Sequence, residues 1–312
     1  MIDKRLKEAL KFILFPLSSL FQKWIYTQAL NNPQKWANKL YKSKFGHDIN
    51  WVNPKELNEK IRWMQFNTDT TQWTELADKY AVREYVKYKG YEEILVKLYG
   101  KWNRAIDIDF ACLPNSFVLK TNHGSGEIII VKDKIQTNLE DVRHRMQHYL
   151  ETPFGIMTAE LHYLKIKPCI IAEELLIQDG GISSSLIDYK FYCFRGKPVA
   201  CGVFYDRNVE LHKNGVTLYD MEWNEHKEWR RKDLAKVYKE IPCPKTFQQM
   251  KLACKDLASQ FPFVRMDFYE VDGRLYLSEF TFTPAALGGG SFDIEILKKW
   301  GNFIDLNHCC SE

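Results

Sequence analysis

Residues 263–284 have the sequence FVRMDFYEVDGRLYLSEFTFTP. Apolar and polar residues alternate through most of this stretch and Asp272-Gly273 interrupts it at the centre, which predicts two antiparallel strands joined by a tight turn. Successive side chains of a strand point to opposite faces. One apolar, core-facing side of the first strand then consists of Val264, Met266 and Phe268.

The faces of the second strand depend on the length of the loop. The pattern favours an odd-numbered loop with Gly273 in the left-handed conformation, which glycine adopts without a steric cost. With that loop, the residues that continue the core face are Tyr276, Phe280 and Phe282. The residues expected near the turn on the opposite face are Val271, Leu275 and Leu277.

The same loop brings two carboxylates together. Asp267 and Glu279 then meet on the polar face with Arg265 and Thr281, whereas a strict two-residue loop would separate them. Two carboxylates in a poorly hydrated site repel each other unless a cation compensates, and Mg²⁺ prefers oxygen ligands shared with phosphate. The hairpin thus predicts a magnesium site that serves a nucleotide, and a surface hairpin with an ion-paired Asp and Arg is the alternative interpretation.

A glycine-rich segment, VLKTNHGSGE, occupies residues 118–127. Lys120 ends a predicted strand, Gly124 and Gly126 form a turn, and a β-branched run follows. The segment has no GK[ST] and opens no helix, so it is not a Walker-type loop. Backbone N–H groups of such a flap can close over phosphate, with Lys120 as a point charge, although glycine-rich hairpins are common.

A third group follows the apolar strand that ends in AEELL, residues 172–176. After a Gly/Ser loop at 178–185, Asp188 and Lys190 share one face of the next strand. This arrangement predicts a hinge whose backbone meets adenine and a carboxylate that holds ribose hydroxyls. Ordinary charge at a strand end is the alternative.

Elsewhere the periodicity predicts an α+β protein with mainly antiparallel sheets. Helices are predicted for 1–65, with interruptions at Pro33 and Pro54, and for 74–90, 138–150 and around 245–259, and strands for 116–120, 126–134 and 168–176. A further hairpin, DYKFYCF and PVACGVFYD, turns at Arg195-Gly196. The length of 312 residues allows two domains, or one with an extension.

Composition excludes several classes of protein. With 45% hydrophobic and 27% charged residues the chain is globular rather than disordered or collagenous. The net charge of +4 is too small to make nucleic acid the expected partner. The 8 cysteines show neither a CxxC nor a spacing with His typical of metal ligands, which favours reduced cytosolic thiols.

The basic character is concentrated at the N-terminus, where residues 1–50 have nine Lys or Arg against three Asp or Glu. Only eleven uncharged residues separate Lys11 from Lys23, fewer than the ~20 needed to span a bilayer. The segment has the spacing of an amphipathic helix. It predicts either a helix docked on its own domain, which is the favoured interpretation, or peripheral contact of residues 1–30 with the cytoplasmic membrane face.

In this order the motifs resemble the ATP-grasp superfamily, in which D-alanyl-D-alanine ligases show the same succession. The matching residues are Lys79 in ADKY, Lys120 before HGSG, Glu173 to Leu176, Asp188-Tyr-Lys190, and RMD followed by Glu279 and a T-P. More closely, NEKIRWMQF, LADKYAVREYV, LPNSFVLKTNHGSG, DYKFYCFRGKP and LYLSEFTFTP resemble the TupA-like ATP-grasp family of polysaccharide and teichuronopeptide biosynthesis. The resemblance covers roughly residues 55–290.

The resemblance implies an ATP-grasp fold in which two α+β subdomains clamp ATP, with an N-terminal helical extension. The implied parts are a helical region at 1–70, a linking part at 71–115, a glycine-flap (lid) subdomain at 116–172 and a central subdomain with the magnesium site at 173–312.

It also implies roles for individual residues. ATP would be bound by Lys79, Lys120, His123, Gly124, Ser125, Gly126, Glu173, Glu174, Leu176, Asp188 and Lys190. The groups implied to act on the transferred phosphoryl and the acyl phosphate are Arg265, Lys190 and Lys120. One or two Mg²⁺ ions would be held by Asp267, Glu279 and Thr281, the last standing where ATP-grasp enzymes usually have Asn.

The implied reaction is ATP-dependent joining of a carboxylate and an amine through an acyl phosphate. The implied partners are a glycan-linked or nucleotide-linked carboxylate, such as a uronic acid, and an amine or amino acid. The implied location is the cytoplasm. A sugar kinase on the same scaffold, a metal-dependent glycosyltransferase using Asp107-Ile-Asp109, and a non-catalytic glycan-binding protein are the alternatives.

Overall fold

The computed structural model describes residues 23–308 except 179–180, 209–212, 233–238 and 289. Most of the predicted N-terminal amphipathic helix lies outside the described residues. The helices within them are α1 (residues 23–31), α2 (Pro33–Phe45), α3 (Leu57–Asn67), α4 (Thr71–Ala77), α5 (Val82–Tyr88), α6 (Leu139–Glu151), α7 (Phe247–Leu257) and α8 (Ile294–Gly301). The strands are β1 (Leu98–Trp102), β2 (Phe117–Thr121), β3 (Ile128–Val131), β4 (Ile170–Glu173), β5 (Asp188–Phe194), β6 (Lys197–Asn208), β7 (Lys213–Tyr219), β8 (Val264–Val271) and β9 (Arg274–Thr281).

These strands form two antiparallel sheets, which confirms the predicted α+β class. One sheet has the order β1-β4-β2-β3 and the other β7-β6-β5-β8-β9. The smaller sheet packs on α6, whose Val142 and Met146 are one helical turn apart and join its buried core. The side chain of Asn138 caps that helix by accepting from two backbone N–H groups. None of the helices in the described part combines the length and apolar character needed to cross a bilayer, and the six cysteines there are free thiols.

The predicted helical region 1–65 is interrupted. Residues 46–56 are not helical, because the buried Glu59 side chain accepts from the backbone N–H groups of Asn50 (2.9 Å) and Lys55 (2.8 Å) and fixes an extended entry into α3. Glu59 also accepts from the Glu56 N–H (3.3 Å), and the Glu56 side chain accepts from the Glu59 N–H in return, which forms a capping box at the helix start.

The hairpin of β5 and β6 turns at Arg195-Gly196, as predicted, with φ of 47° and 78°. A Cβ on Gly196 would lie 2.5 Å from the Lys255 carbonyl oxygen, whereas a Cβ on Gly46, at the end of α2 with φ of 83°, would meet nothing within 4 Å.

Gly196→Ala is therefore expected to cost more stability than Gly46→Ala. Both variants force alanine into the left-handed region, at about 1 kcal/mol, but only the first adds a clash with backbone, for a total of about 3 kcal/mol. Urea unfolding of the two variants measures the difference. Equal losses would contradict the close approach of the turn to α7.

The loop between β8 and β9 is not the predicted one. It has two residues, Asp272 and Gly273, with φ of 51° and 71°, and Val271 pairs with Arg274. The prediction of an odd-numbered loop was wrong. Asp267 and Glu279 nevertheless lie directly opposite each other, because the register shifts by one residue at Ser278, where a β-bulge reverses the alternation.

The bulge also corrects the faces nearest the turn. Between the turn and the bulge, the alternation is the opposite of the predicted one, so Tyr276 joins Val271 and Val96 in a small separate cluster. Leu275 and Leu277 instead pack in the main core. Beyond the bulge, the predicted core residues Phe280 and Phe282 are in that core.

Candidate active site

The central sheet carries a polar row across three strands. Lys190 of β5 pairs with Asp267 of β8, which pairs with Glu279 of β9. Direct partners in an antiparallel sheet share a face, so the three side chains lie side by side. Asp267 is fully buried and Lys190 is nearly so, whereas the Glu279 side chain is 31% exposed and opens this row to solvent.

Arg265 lies in the adjacent row, opposite Thr281. Its guanidinium makes two 2.6 Å bonds to the Asp267 carboxylate. The same Nη2 atom lies 2.9 Å from Glu279 Oε1 and 3.0 Å from Thr281 Oγ1. Three oxygens from three side chains therefore surround one point.

The carboxylates have side-chain cations as partners, and the ion pair of Asp267 with Arg265 is the one that the alternative interpretation of the hairpin predicted. Asp267 accepts from both Arg265 and Lys190. Burial raises the pKa of Asp267, and Arg265 and Lys190 offset part of that rise. For Glu279, burial acts in the same direction, but Lys190, Arg265 and Lys79 outweigh it and hold its pKa well below the usual range. Glu279 is thus charged at neutral pH.

At the start of β5, Asp188 Oδ2 accepts from Arg207 (2.5 Å) and forms an ion pair with the Lys190 ammonium (2.8 Å). Its other oxygen, Oδ1, is buried and has no hydrogen-bond partner. A buried oxygen without a hydrogen bond costs free energy of folding, and a ligand that donates to it would recover that cost. Arg207, which lies on β6, was not predicted from the sequence and could have been found only as a basic residue across from Asp188.

On the smaller sheet, Lys120 and Glu173 form an ion pair of 2.5 Å, and Arg83 of α5 lies 3.4 Å from the same carboxylate. Lys120 pairs directly with the exposed Ile128, and the exposed Ile130, two residues along β3, lies on the same face. The backbone N–H of Glu174 donates to the Lys97 carbonyl. Arg83 and the two isoleucines were not predicted from the sequence, because the four successive β-branched residues 128–131 do not indicate which side chains are exposed.

The glycine segment connects β2 to β3 as predicted, and it closes over Lys79. The Lys79 ammonium donates to the Gly124 carbonyl, and the Lys79 N–H donates to the Asn122 carbonyl (3.2 Å). His123 is buried beside Thr152, and burial lowers its pKa. Ser125 and Gly126 are exposed at the tip.

Lys79 reaches the flap because the predicted helix 74–90 is broken into α4 and α5, which corrects that prediction. The Asp78 carboxylate accepts from the N–H groups of Tyr80 (2.8 Å) and Ala81 (3.1 Å). An Asp that caps the following turn competes with helix continuation. Lys79 therefore lies in the turn between α4 and α5 and not within a helix.

Lys79 also joins the two sheets electrostatically. Burial lowers the pKa of its ammonium, while the charge of Glu279 acts to raise it and that of Lys120 acts to lower it. Both groups are thus within electrostatic range of Lys79. Lys79 is thus bonded to the flap through Gly124 and feels the charges of both Lys120 and Glu279.

The residues present fit a hard divalent cation. Asp267, Glu279 and Thr281 supply oxygen donors that converge on the position of Arg265 Nη2, and oxygen is the donor type that Mg²⁺ prefers. The donor set has two carboxylates rather than three: in the described part of the chain, no group of three or more His, Cys, Asp or Glu side chains is arranged to hold a metal.

The DxD triplet has local roles instead. Asp107 binds Arg104 (2.5 Å), and Asp109 caps a short 3₁₀ turn by accepting from the Ala111 N–H (2.9 Å). Both carboxylates are occupied by neighbours in sequence.

The sequence model of the family described as TupA-like ATPgrasp matches residues 59–304. Similar solved structures include D-alanine–D-alanine ligase from Bacillus anthracis complexed with ATP (TM-score 0.47, 14% identity, 78% of this chain and 67% of that chain). A second is L-amino acid ligase from Bacillus licheniformis (TM-score 0.45, 12% identity, 73% of this chain and 49% of that chain). A third is the ATP-grasp ligase PsnB complexed with a phosphomimetic variant of minimal precursor, Mg and ADP (TM-score 0.42, 11% identity, 79% of this chain and 64% of that chain). The chain thus spans about half to two thirds of the length of these structures. A comparison with curated proteins found no match.

Proposed function

Because the chain belongs to the TupA-like ATP-grasp family, we propose that it binds ATP between its two sheets and uses it to join a carboxylate to an amine. The observation that carries this proposal is the contact of Arg265 with Asp267, Glu279 and Thr281. It supports the proposal because a guanidinium, two carboxylates and a hydroxyl lie together, and phosphoryl transfer needs positive charge and metal ligands.

The nucleotide would lie on the face of the smaller sheet that carries Lys120. Ile128 and Ile130, 41% and 56% exposed on that face, offer apolar surface to adenine, and the backbone of Glu174 to Leu176 offers polar groups at its edge. The unpaired Asp188 Oδ1 suits a ribose hydroxyl. Glu173 sets the direction of Lys120 through their ion pair.

Phosphate would be met from two sides. Lys120 and Lys79 approach from the lid, with His123 and the backbone of Gly124 to Gly126 closing above. Lys190 and Arg265 approach from the central sheet. Asp267, Glu279 and Thr281 would hold one or two Mg²⁺ ions, which neutralise phosphate charge when bound.

The chemistry requires little more than positioning and charge. A substrate carboxylate oxygen attacks the γ-phosphorus, the bond to ADP breaks, and an acyl phosphate forms. An amine then attacks the acyl carbon, loses a proton, and displaces phosphate to leave an amide. Arg265 and Lys190 neutralise charge on the transferred group, and the flap excludes water from the acyl phosphate.

The substrates proposed are a uronic acid or other carboxylate on a glycan or nucleotide carrier and an amine or amino acid, in cell-surface polysaccharide biosynthesis. We propose the cytoplasm as the site of this reaction. Peripheral contact with the membrane through residues 1–30 belongs to the same proposal.

Product analysis tests the reaction. The protein is incubated with ATP, Mg²⁺ and pairs of uronates and amino acids, while phosphate release and new amides are followed by mass spectrometry. We expect ADP, free phosphate and an amide in equal amounts, with phosphate release dependent on both substrates. A phosphomonoester without free phosphate would instead establish the sugar kinase, and no ATP turnover with any pair would refute both.

A further inference from the structure

Arg62 of α3 is 1% exposed and lies beside the proposed site. Its guanidinium donates to three carbonyl oxygens, those of Ala159 (2.6 Å), Thr158 (2.9 Å) and Ala286 (3.0 Å). Gln65, on the same face of α3, donates to the Ala159 carbonyl as well (2.5 Å). Burying a guanidinium on carbonyl groups is costly unless the contacts are worth more than its hydration, so this arrangement calls for an explanation.

The carbonyls belong to two backbone segments in an unfavourable conformation. Ala159 has φ of 54°, and Ala285, Ala286 and Leu287 have φ of 51°, 49° and 59°. L-amino acids adopt left-handed φ only at an energetic cost, and three in succession are rare. Such a turn persists only where its surroundings hold it.

The second turn, Pro284–Leu287, follows directly on the strand of the carboxylates. Thr281 contacts Arg265, and Thr283 donates to Glu160 (2.5 Å). Burial raises the pKa of Glu160, and the charges of Arg62 and Arg265 both oppose that rise. Glu160 thus lies within range of both guanidiniums.

We propose that Arg62 is a positioning residue that clamps the left-handed turn Pro284–Leu287 against the segment at 158–160 and so fixes the end of β9 for acyl transfer. Its role in transfer rests on the proposed function. The clamp itself does not. The clamp also involves the N-terminal helical region in the site. Arg62 of α3 joins the segment at 158–160, which precedes β4, to the turn that follows β9.

Arg62→Met tests the clamp, with Lys60→Met as the matched control. Lys60 is on the same helix and also donates to a carbonyl, that of Ile304 (2.7 Å), in the C-terminal segment rather than the turn. We expect Arg62→Met to accelerate hydrogen exchange of the amides in 285–288 and Lys60→Met to leave it unchanged. With ATP and substrates, kcat of Arg62→Met should fall about 100-fold while ATP affinity stays within about two-fold and Lys60→Met keeps its kcat.

A rescue distinguishes positioning from a general loss of fold. Glycine adopts left-handed φ without strain, so Ala286→Gly in the Arg62→Met background should recover kcat about five-fold. If Arg62→Met does not fold, Arg62→Lys, which keeps the charge but reaches fewer carbonyls, serves in its place with the same readouts.

Unchanged exchange of the turn would overturn the clamp. So would a kcat no lower than that of Lys60→Met, a loss that falls on ATP affinity, or no recovery in the double variant. The exchange measurement needs no turnover. A loosened turn in a protein that forms no amide would therefore refute the proposed function and leave the clamp standing.

Discussion

Asp267→Asn is expected to lower kcat for ATP-dependent amide formation by about 1,000-fold. The carboxylate is fully buried and receives hydrogen bonds from Arg265 and Lys190. An amide of the same shape supplies no negative charge to a bound cation and leaves both side-chain cations under-compensated. Loss of one partner from a buried ion pair also costs about 3–5 kcal/mol, so activity is measured well below the thermal midpoint of the variant, with circular dichroism as the check on folding.

Asp272→Asn is the matched control. It makes the same chemical change in the same hairpin, at an exposed turn position with φ of 51° that Asn tolerates. We expect it to keep wild-type kcat. If Asp267→Asn were as active as Asp272→Asn, the carboxylate would have no role in turnover.

Lys120→Met is expected to weaken ATP binding about 100-fold, or about 2.7 kcal/mol. The lysine is held in place by its ion pair with Glu173, and in the proposed complex its charge would face phosphate. Removing it takes away that attraction and leaves Glu173 repelling the nucleotide. Titration calorimetry with ATP and Mg²⁺ measures the dissociation constant, and the exposed Lys132→Met, on the same lid, should bind as the wild type does.

The double variant Lys120→Met/Glu173→Gln separates binding from folding. Removal of both partners of the pair leaves no unpaired carboxylate next to Arg83, so thermal stability should return towards the wild-type value while ATP binding remains weak. Recovery of both would mean that Lys120 acts only through the fold.

The elements that the sequence predicted best were those with local causes. The alternation of apolar and polar residues predicted the strands of both hairpins and their pairing through Arg195-Gly196. The order of the motifs predicted the family. The convergence of Asp267 and Glu279 was predicted for the wrong reason, since a two-residue turn and a bulge at Ser278 have the same net effect on register as an odd loop. A bulge has no sequence signature that periodicity detects.

Contacts between segments that are distant in sequence could not be predicted from local patterns. Arg83 lies 90 residues from Glu173, and Arg62 lies 224 residues from the carbonyl it binds in the turn. Nothing in the local pattern of α3 distinguishes a buried arginine from a solvated one. The break at Asp78 was missed for a related reason: the apolar spacing of 74–90 fits a helix, and the competing bonds of one carboxylate are not visible in periodicity.

The break has a further consequence for how a nucleotide enters. Lys79 is bound to the flap by its ammonium and by its own main chain, to Gly124 and Asn122. A triphosphate bound at the proposed site would replace the Gly124 carbonyl as the partner of the Lys79 ammonium. Nucleotide binding and loss of that bond to the flap would therefore occur together.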